Sequence, residues 1–235
     1  MKRLFIASTS KVHGKGYLEY IQPELQQFFS GIEEIVFIPF ARAGGMTYDE
    51  YTERASRGFA KLNISVKGIH EFENPLDAIK NAKGIFTGGG NTFELVSQLY
   101  AHNLIEPIKE VVSQGTPYFG TSAGSNVTGL TMKTTNDMPI VYPPSFETFG
   151  FINFNINPHY LDPIEGSTHM GETRETRIKE FHKFNRTPVL GLREGSWLEV
   201  NGEKVTLRGT LQALLFLRDE KPVELETNTD LSDLK

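Results

Sequence analysis

Residues 120–124 are Gly-Thr-Ser-Ala-Gly and have the G-x-S-x-G pattern of a nucleophile elbow. The pattern follows a short apolar run at 117–119 and precedes small residues that can enter a helix. Because the neighbouring backbone passes close to a serine in such a turn, the flanking residues must be small. The pattern predicts Ser122 as a nucleophile and the Ala123 amide, at a helix N-terminus, as an oxyanion donor. A plain Gly-Ser turn has the same composition and stays an alternative on this pattern alone.

A serine nucleophile needs a general base, and His159 is the histidine best placed for this role. It comes directly after Pro158, which ends a predicted strand, in the same half of the molecule as the serine turn. Its alternative role is that of a hydrogen-bonded loop histidine. The other histidines lie in less suitable contexts, namely a loop at a strand end (His13), a polar stretch near a helix start (His169), and helical or surface positions expected to be solvated (His70, His102 and His182).

The base needs a carboxylate to orient it, and the sequence offers two. Asp137 lies in the polar loop 134–139, between the predicted elbow helix and the strand that leads to His159. The chain order of serine, aspartate and histidine matches one known triad order, although the spacing is much tighter than in α/β-hydrolases. Glu194 lies in another loop at a strand end. The sequence does not rank these two residues, and either could be an ordinary loop carboxylate.

A glycine turn at 88–91, Gly-Gly-Gly-Asn, follows another predicted strand. It could hold a phosphate at a helix N-terminus, but it lacks the Lys-Ser/Thr of a P-loop and the G-x-G-x-x-G spacing. Alternatively, it supplies a second oxyanion donor, the Gly90 amide, opposite that of Ala123. The shared sheet edge with the serine turn favours this second function. No two histidines have the spacing of metal ligands, so no metal site is predicted.

One arginine is a candidate for substrate binding. On the helix predicted for 172–184, Arg174 shares a face with Ile178 and Phe181, so it points toward the protein body. It could pair with a nearby glutamate, or its planar guanidinium could bind a substrate carboxylate. Three other arginines are the next candidates for carboxylate binding: Arg42, Arg177 and Arg193.

Strand and helix patterns alternate from residue 1 to about residue 130, which predicts an α/β fold with a doubly wound, mostly parallel sheet. In such sheets ligands bind beyond the carboxyl ends of the strands, where 88–91 and 121–124 both lie. The second half is less regular. Its predicted elements are an alternating strand at 152–156, a helix at 172–184, a strand at 189–192, a hairpin around the Asn-Gly turn at 201–202, a strand at 214–217, and a tail after Glu220 that is expected to fray.

Size and composition restrict the remaining choices. The 235 residues fit one domain, 1–235, with the composition of an ordinary globular protein. The net charge of −5, without a basic run, argues against nucleic acid as a partner and requires a local cation for any anionic substrate. The absence of cysteine excludes disulfides, thiolate metal sites and a cysteine nucleophile. Neither a signal peptide nor a membrane span is predicted, so no membrane partner and a cytoplasmic location are expected.

Six segments together resemble the peptidase E family of serine peptidases, the α-aspartyl dipeptidases. They occur in the family's order and lie at 88–93, 122–124, 134–140, 156–159, 171–174 and 194–195. The resemblance implies a flavodoxin-like fold related to class I glutamine amidotransferases, with serine in place of their cysteine. It also implies a peptidase that releases N-terminal aspartate from Asp-Xaa dipeptides without a metal or cofactor.

The resemblance further implies a role for each candidate residue. The roles are nucleophile for Ser122, base for His159, charge-relay acid for Asp137, competing or supporting carboxylate for Glu194, oxyanion hole for Gly90 and Ala123, and aspartate binding for Arg174. Two alternatives remain. One is a cyanophycinase-like peptidase, against which the compact length argues, and the other is a non-catalytic small-molecule binding module. The sequence makes no prediction of the oligomeric state.

Overall fold

The structure is a computed structural model that describes residues 1–163, 166, 168 and 171–235. Its strands are β1 Arg3–Ala7, β2 Glu34–Ile38, β3 Ser65–Gly68, β4 Ile85–Thr87, β5 Tyr118–Thr121, β6 Asn155–Pro158, β7 Val189–Leu192, β8 Ser196–Asn201, β9 Lys204–Gly209, β10 Ala213–Phe216 and β11 Val223–Leu225. Its helices are α1 Gln22–Phe28, α2 Tyr48–Ala60, α3 Pro75–Asn81, α4 Thr92–Ala101, α5 Ile105–Gln114, α6 Ala123–Asn126 and α7 Arg174–Phe184.

Seven strands form the main sheet, in the order β3-β2-β4-β5-β1-β8-β9. The first five of these are parallel, and β8 and β9 add an antiparallel hairpin beside β1. The predicted doubly wound, mostly parallel α/β sheet and the predicted hairpin are both confirmed. Because β4, β5 and β1 are neighbours, the turns that follow their carboxyl ends lie side by side.

Helices cover both faces of this sheet because its strands are apolar on both sides. The face toward α1 and α2, called the α1–α2 face below, includes Phe5, Phe37 and Phe86. The face toward α3, α4 and α5, called the α3–α5 face, includes Ile6 and Ile85. Adjacent residues of one strand point to opposite faces, so each strand contributes to both hydrophobic layers.

Four strands form a second sheet, in the order β11-β10-β7-β6. β6 and β7 pair in parallel, with Pro158 opposite Leu192, so their carboxyl ends lie together. The sequence does not predict this division, because β7 has the same continuous apolar pattern as the strands of the main sheet. Ile156 and Leu190 of the second sheet belong to the hydrophobic cluster that covers the α3–α5 face.

Some predicted boundaries are wrong. The spacing of Leu18, Ile21, Leu25 and Phe28 predicts a helix from Tyr17, but this helix begins only at Gln22, because Leu18 is left-handed (φ 58°) and a 3₁₀ turn follows it. The tail after Glu220 is not frayed, since β11 pairs with β10 and Leu231 is buried. Within the described ranges, every helix is too short or too polar to cross a lipid bilayer.

Candidate active site

Ser122 lies at the turn between β5 and α6, at the carboxyl edge of the main sheet. Its backbone has φ 55° and ψ −113°, a conformation that residues other than glycine rarely adopt. The Ser122 amide donates to the Ala7 carbonyl at 3.3 Å, which joins the turn to the neighbouring β1. The Ser122 side chain is partly exposed, whereas Thr121 and Ala123 on either side of it are buried. The segment has the strand, turn and helix order that the G-x-S-x-G pattern predicts.

Close backbone packing explains the glycines that flank this turn. A Cβ on Gly124 would lie 2.2 Å from the Thr87 carbonyl oxygen, and a Cβ on Gly120 would lie 2.3 Å from the Gly124 oxygen. Both contacts are far shorter than van der Waals distance, and both involve backbone atoms that cannot rotate away. β4, β5 and α6 can therefore approach one another only because these two residues have no side chain.

His159 directly follows β6, and its Nε2 atom lies 2.9 Å from Ser122 Oγ. The residue is left-handed, with φ 53°. Ser8, fully buried just after β1, holds this backbone in place, because its Oγ accepts from the His159 amide at 2.9 Å and donates to the Leu192 carbonyl at 2.7 Å. One hydroxyl thus ties the two sheets together at the point where His159 leaves its strand.

Glu194 supplies the carboxylate beside the imidazole, with its Oε1 atom 2.6 Å from His159 Nδ1. A carboxylate only accepts hydrogen bonds, so Nδ1 carries the proton, and the lone pair of a neutral ring's Nε2 faces Ser122. The two residues meet because β6 and β7 are parallel neighbours and each residue follows the carboxyl end of one strand. The side chains are 33% and 46% exposed for His159 and Glu194, so the pair lies at the open mouth of the site.

Asp137 makes a different set of contacts. Its Oδ2 atom accepts from the Thr92 amide at 2.7 Å, from Thr92 Oγ1 at 2.6 Å and from Thr135 Oγ1 at 3.0 Å. Thr92 is the first residue of α4, so the carboxylate satisfies an otherwise free amide at the positive end of the helix dipole. In the part of the chain that the structure describes, Asp137 makes no hydrogen bond to His159. The structure brings Ser122, His159 and Glu194 together and places the Asp137 carboxylate on α4.

The predicted oxyanion donors are the amides of Ala123, which follows Ser122, and of Gly90, which lies in the glycine turn. Ala123 is the first residue of α6, and neither its N–H nor that of Gly90 has an acceptor among the described residues. A Cβ on Gly89 would lie 2.8 Å from Ser122 Cβ, so the glycine turn packs directly on the serine. Gly90 has φ 146°, which a residue with a side chain rarely adopts. Both N–H groups, unpaired within the described residues, therefore belong to segments that contact Ser122.

Arg174 is the first residue of α7, and Thr173 caps that helix. Its side chain is partly buried, and desolvation lowers the pKa of its guanidinium from the ordinary value. The like charge of Arg177 lowers this pKa further, whereas the carboxylates of Asp137 and Glu194 raise it. The guanidinium forms no ion pair or hydrogen bond with another residue of the described ranges, and the charges of Asp137 and Glu194 act on it.

Of the other candidates, Arg193 is already paired. Arg193 forms ion pairs with Asp162 at 2.7 Å and Glu224 at 2.5 Å. His182, expected to be solvated, is instead buried, because α7 packs on the second sheet through Ile178, and the His182 Nε2 donates to the Thr187 carbonyl at 3.0 Å. His169 lies outside the described residues.

Sequence reasoning missed two polar residues of the site, Ser8 and Thr92. Ser8 orients the His159 backbone, and Thr92 holds the Asp137 carboxylate through two hydrogen bonds. Their common signal is position, since each follows a strand of the main sheet at its carboxyl edge. A search for every polar residue just beyond these strands, rather than for ionisable residues alone, would have found both.

Among known protein families, residues 4–208 match peptidase family S51. The chain belongs to this family. It is therefore a serine peptidase, as the sequence analysis predicted.

Proteins with curated names resemble the chain over nearly its whole length. Peptidase E of Streptomyces coelicolor is 48% identical and aligns with 98% of this chain and 94% of its own length. A Drosophila melanogaster protein named probable alpha-aspartyl dipeptidase is 44% identical over 99% of this chain and 97% of its own. A solved peptidase from an acI-B1 actinobacterium shares the fold, with a TM-score of 0.68, 17% identity, and coverage of 98% of this chain and 96% of that one.

Proposed function

We propose that this S51 peptidase hydrolyses dipeptides with an N-terminal aspartate, with Ser122 as nucleophile, His159 as general base and Glu194 as the carboxylate that orients the base. The observation that carries the proposal is the continuous chain of contacts from Ser122 Oγ to His159 Nε2 at 2.9 Å and from His159 Nδ1 to Glu194 at 2.6 Å. Nucleophile, base and orienting acid in this order are the parts that a serine hydrolase requires.

Acylation uses all of these groups, and His159 acts first as base and then as acid. His159 Nε2 takes the hydroxyl proton as Ser122 Oγ attacks the carbonyl carbon of the aspartyl residue. The negative charge that develops on the carbonyl oxygen is stabilised by the free N–H groups of Gly90 and Ala123. The imidazolium, stabilised by Glu194, then gives its proton to the leaving amine as the peptide bond breaks. The products of this half-reaction are an aspartyl ester of the enzyme and the free second residue.

Deacylation repeats the sequence with water as the nucleophile. His159 takes a proton from water as the water oxygen attacks the ester carbon, and it returns that proton to Ser122 Oγ as the ester bond breaks. The partial exposure of His159 and Glu194 leaves a path for water to the ester. The net reaction consumes one water and releases aspartate and the second amino acid.

Arg174 is the group that we assign to selection of aspartate. A carboxylate bound by a partly buried guanidinium gains charge-assisted, bidentate hydrogen bonds that asparagine cannot make. A glutamate side chain, one methylene longer, displaces the scissile carbonyl from Ser122, and such a displacement costs roughly 10²-fold in rate. The name of the Drosophila relative, an alpha-aspartyl dipeptidase, supports this choice of substrate.

The proposal is tested by assaying Asp-Leu, Glu-Leu, Asn-Leu and isoaspartyl-leucine for released amino acid. We expect rapid cleavage of Asp-Leu alone, no loss of turnover with EDTA, and labelling of Ser122 by a fluorophosphonate probe.

Ser122→Ala should lower kcat by roughly 10⁴-fold or more without changing the midpoint of unfolding. Normal turnover in this variant would show that another group is the nucleophile. Equal cleavage of Asp-Leu and Asn-Leu would rule out selection by charge.

A further inference from the structure

A second arginine without an ionic partner lies near the serine, in the loop that follows β2. Arg42 comes directly after Ala41, whose carbonyl accepts from the Asn91 amide at 2.8 Å. Asn91 ends the glycine turn that carries the proposed oxyanion donor Gly90. Arg42 therefore belongs to the same carboxyl edge of the main sheet as the catalytic residues.

A short chain of contacts connects the Arg42 guanidinium to the nucleophile. Its Cζ atom lies 4.2 Å from the centre of the Tyr51 ring. The hydroxyl of Tyr51 donates to the Gly89 carbonyl at 3.1 Å, and Gly89 packs on Ser122, as described above. Tyr51 is almost fully buried, so its ring is a fixed support that holds the cation near the glycine turn.

Within the described part of the chain, the Arg42 guanidinium has hydrogen-bond donors without an acceptor. Arg42 makes no ion pair and no side-chain hydrogen bond with any residue that the structure describes, and its Nε atom is buried without a partner. Arg193, by contrast, is satisfied by two carboxylates. A partly buried guanidinium with a buried, unpaired N–H is costly to maintain, and an anion that docks beside it removes this cost.

Arg42 and Arg174 lie toward opposite faces of the main sheet. Arg174 begins α7, which packs against the 3₁₀ turn Met132–Thr134, and Met132 of this turn belongs to the hydrophobic cluster of the α3–α5 face. Arg42 stacks on Tyr51 of α2, on the α1–α2 face. Ser122 stands at the sheet edge between these two faces. An Asp-Xaa dipeptide has one carboxylate on each side of its scissile bond, the aspartate side chain on the acyl part and the terminal carboxylate on the leaving residue.

We propose that Arg42 binds the terminal carboxylate of the leaving residue and thereby selects dipeptides over longer peptides. The inference rests on the proposed function, because it assumes that an Asp-Xaa substrate is cleaved at Ser122. In a longer peptide, an uncharged peptide group takes the place of this carboxylate and leaves the guanidinium unpaired. With a protein net charge of −5, a local cation is also needed to hold a second negative group on the substrate.

The experiment compares Asp-Leu with its C-terminal amide, Asp-Leu-NH₂, in the wild type and in Arg42→Gln. The wild type should cleave the acid with a kcat/KM about 10- to 100-fold higher than that of the amide, the range expected for hydrogen bonds to a charged group. Arg42→Gln should lower kcat/KM for the acid to the level of the amide and leave the amide nearly unchanged. Arg42→Lys, which keeps the charge but not the planar fork, should retain part of the preference.

The matched control is Arg54→Gln. The Arg54 Cζ atom lies 4.8 Å from the centre of the Tyr17 ring, and Tyr17 packs against the same hydrophobic cluster as Tyr51. This variant should keep the full preference for the acid, and an equal loss in it would overturn the assignment to Arg42. An equal loss on acid and amide in Arg42→Gln would also overturn it, since Arg42 would then only support the glycine turn.

The wild-type comparison needs no variant, so misfolding cannot obscure the result. If the wild type prefers Asp-Leu over Glu-Leu but cleaves acid and amide equally, the inference about Arg42 fails alone. If it cleaves neither Asp-Leu nor the amide, the proposed function fails, and this inference falls with it.

Discussion

At the scale of single residues, the two carboxylates that the sequence offers as partners of His159 have different surroundings. Glu194 Oε1 lies 2.6 Å from His159 Nδ1, whereas Asp137 is bonded to Thr92 and Thr135. We expect Glu194→Gln to lower kcat by about 10²- to 10⁴-fold, because a glutamine can no longer fix the ring tautomer or stabilise the imidazolium. Steady-state kinetics on Asp-Leu, with kcat and KM reported separately, measures the effect.

Asp137→Asn is the matched comparison, since it also removes one carboxylate charge at the same edge. It should lower kcat by about 10-fold or less and destabilise the protein by about 1 kcal/mol, because the amide binds the start of α4 less well than the carboxylate does. A larger loss of kcat in Asp137→Asn than in Glu194→Gln would assign the orienting role to Asp137.

The sequence predicted the members of this site but not their partners. Ser122 and His159 stand out because each follows a strand, and a turn of small residues or a proline marks the strand end. Which carboxylate reaches the imidazole depends on strand pairing, and the parallel neighbours β6 and β7 bring Glu194 to His159. Asp137 is nearer to His159 in sequence, but the free Thr92 amide at the start of α4 binds its carboxylate. Local patterns contain no information about either contact.

At the scale of elements, the site depends on how closely β4, β5 and α6 approach one another. A Cβ on Gly124 would lie 2.2 Å from the Thr87 carbonyl, with no side chain that could move aside. Gly124→Ala should therefore lower the free energy of unfolding by more than about 2 kcal/mol and move Ser122 away from His159. Urea unfolding measures the first effect, and the rate of fluorophosphonate labelling measures the second.

Gly44→Ala is the control for this substitution. Gly44 lies in the loop after β2 and is not left-handed. A Cβ added to it would have no other atom within 4 Å. The free energy of unfolding should change by less than about 0.5 kcal/mol. If Gly124→Ala were equally mild, the close contact of α6 with β4 would not be needed for the elbow.

Sequence patterns predicted helices and strands best where a pattern of apolar and polar residues is compatible with only one arrangement of buried and exposed positions. The alternation of strands and helices in the first 130 residues matches the structure. The alternating pattern at 152–156 was less informative, because the strand that forms is Asn155–Pro158. Its asparagines are buried, and Asn157 donates to Thr134 and Asn136. A polar position can face another segment as well as solvent, and the sequence does not distinguish these cases.

At the scale of the whole molecule, the two sheets share one hydrophobic cluster. Leu4 and Ile6 of the main sheet belong to it, together with Ile156, Leu190 and Leu192 of the second sheet. Ser8 adds a polar connection, since its hydroxyl bonds to backbone groups at the ends of both β6 and β7. Because His159 and Glu194 come from the second sheet and Ser122 from the main sheet, any movement between the sheets would separate the proposed triad.

We infer from this shared cluster that residues 1–235 unfold as one unit. Trp197, the one tryptophan of the sequence, is buried against Phe5 on the α1–α2 face and reports on the main sheet. The variant Trp197→Phe/Phe216→Trp places the probe in β10 instead, in a buried cluster of the second sheet. In each protein, the urea midpoint from tryptophan fluorescence should coincide with that from far-UV circular dichroism.

A second-sheet probe that changes at lower urea than the dichroism would mean that this sheet unfolds separately. The proposed triad would then be lost before the main sheet unfolds, and activity measured in urea should fall with the second-sheet probe.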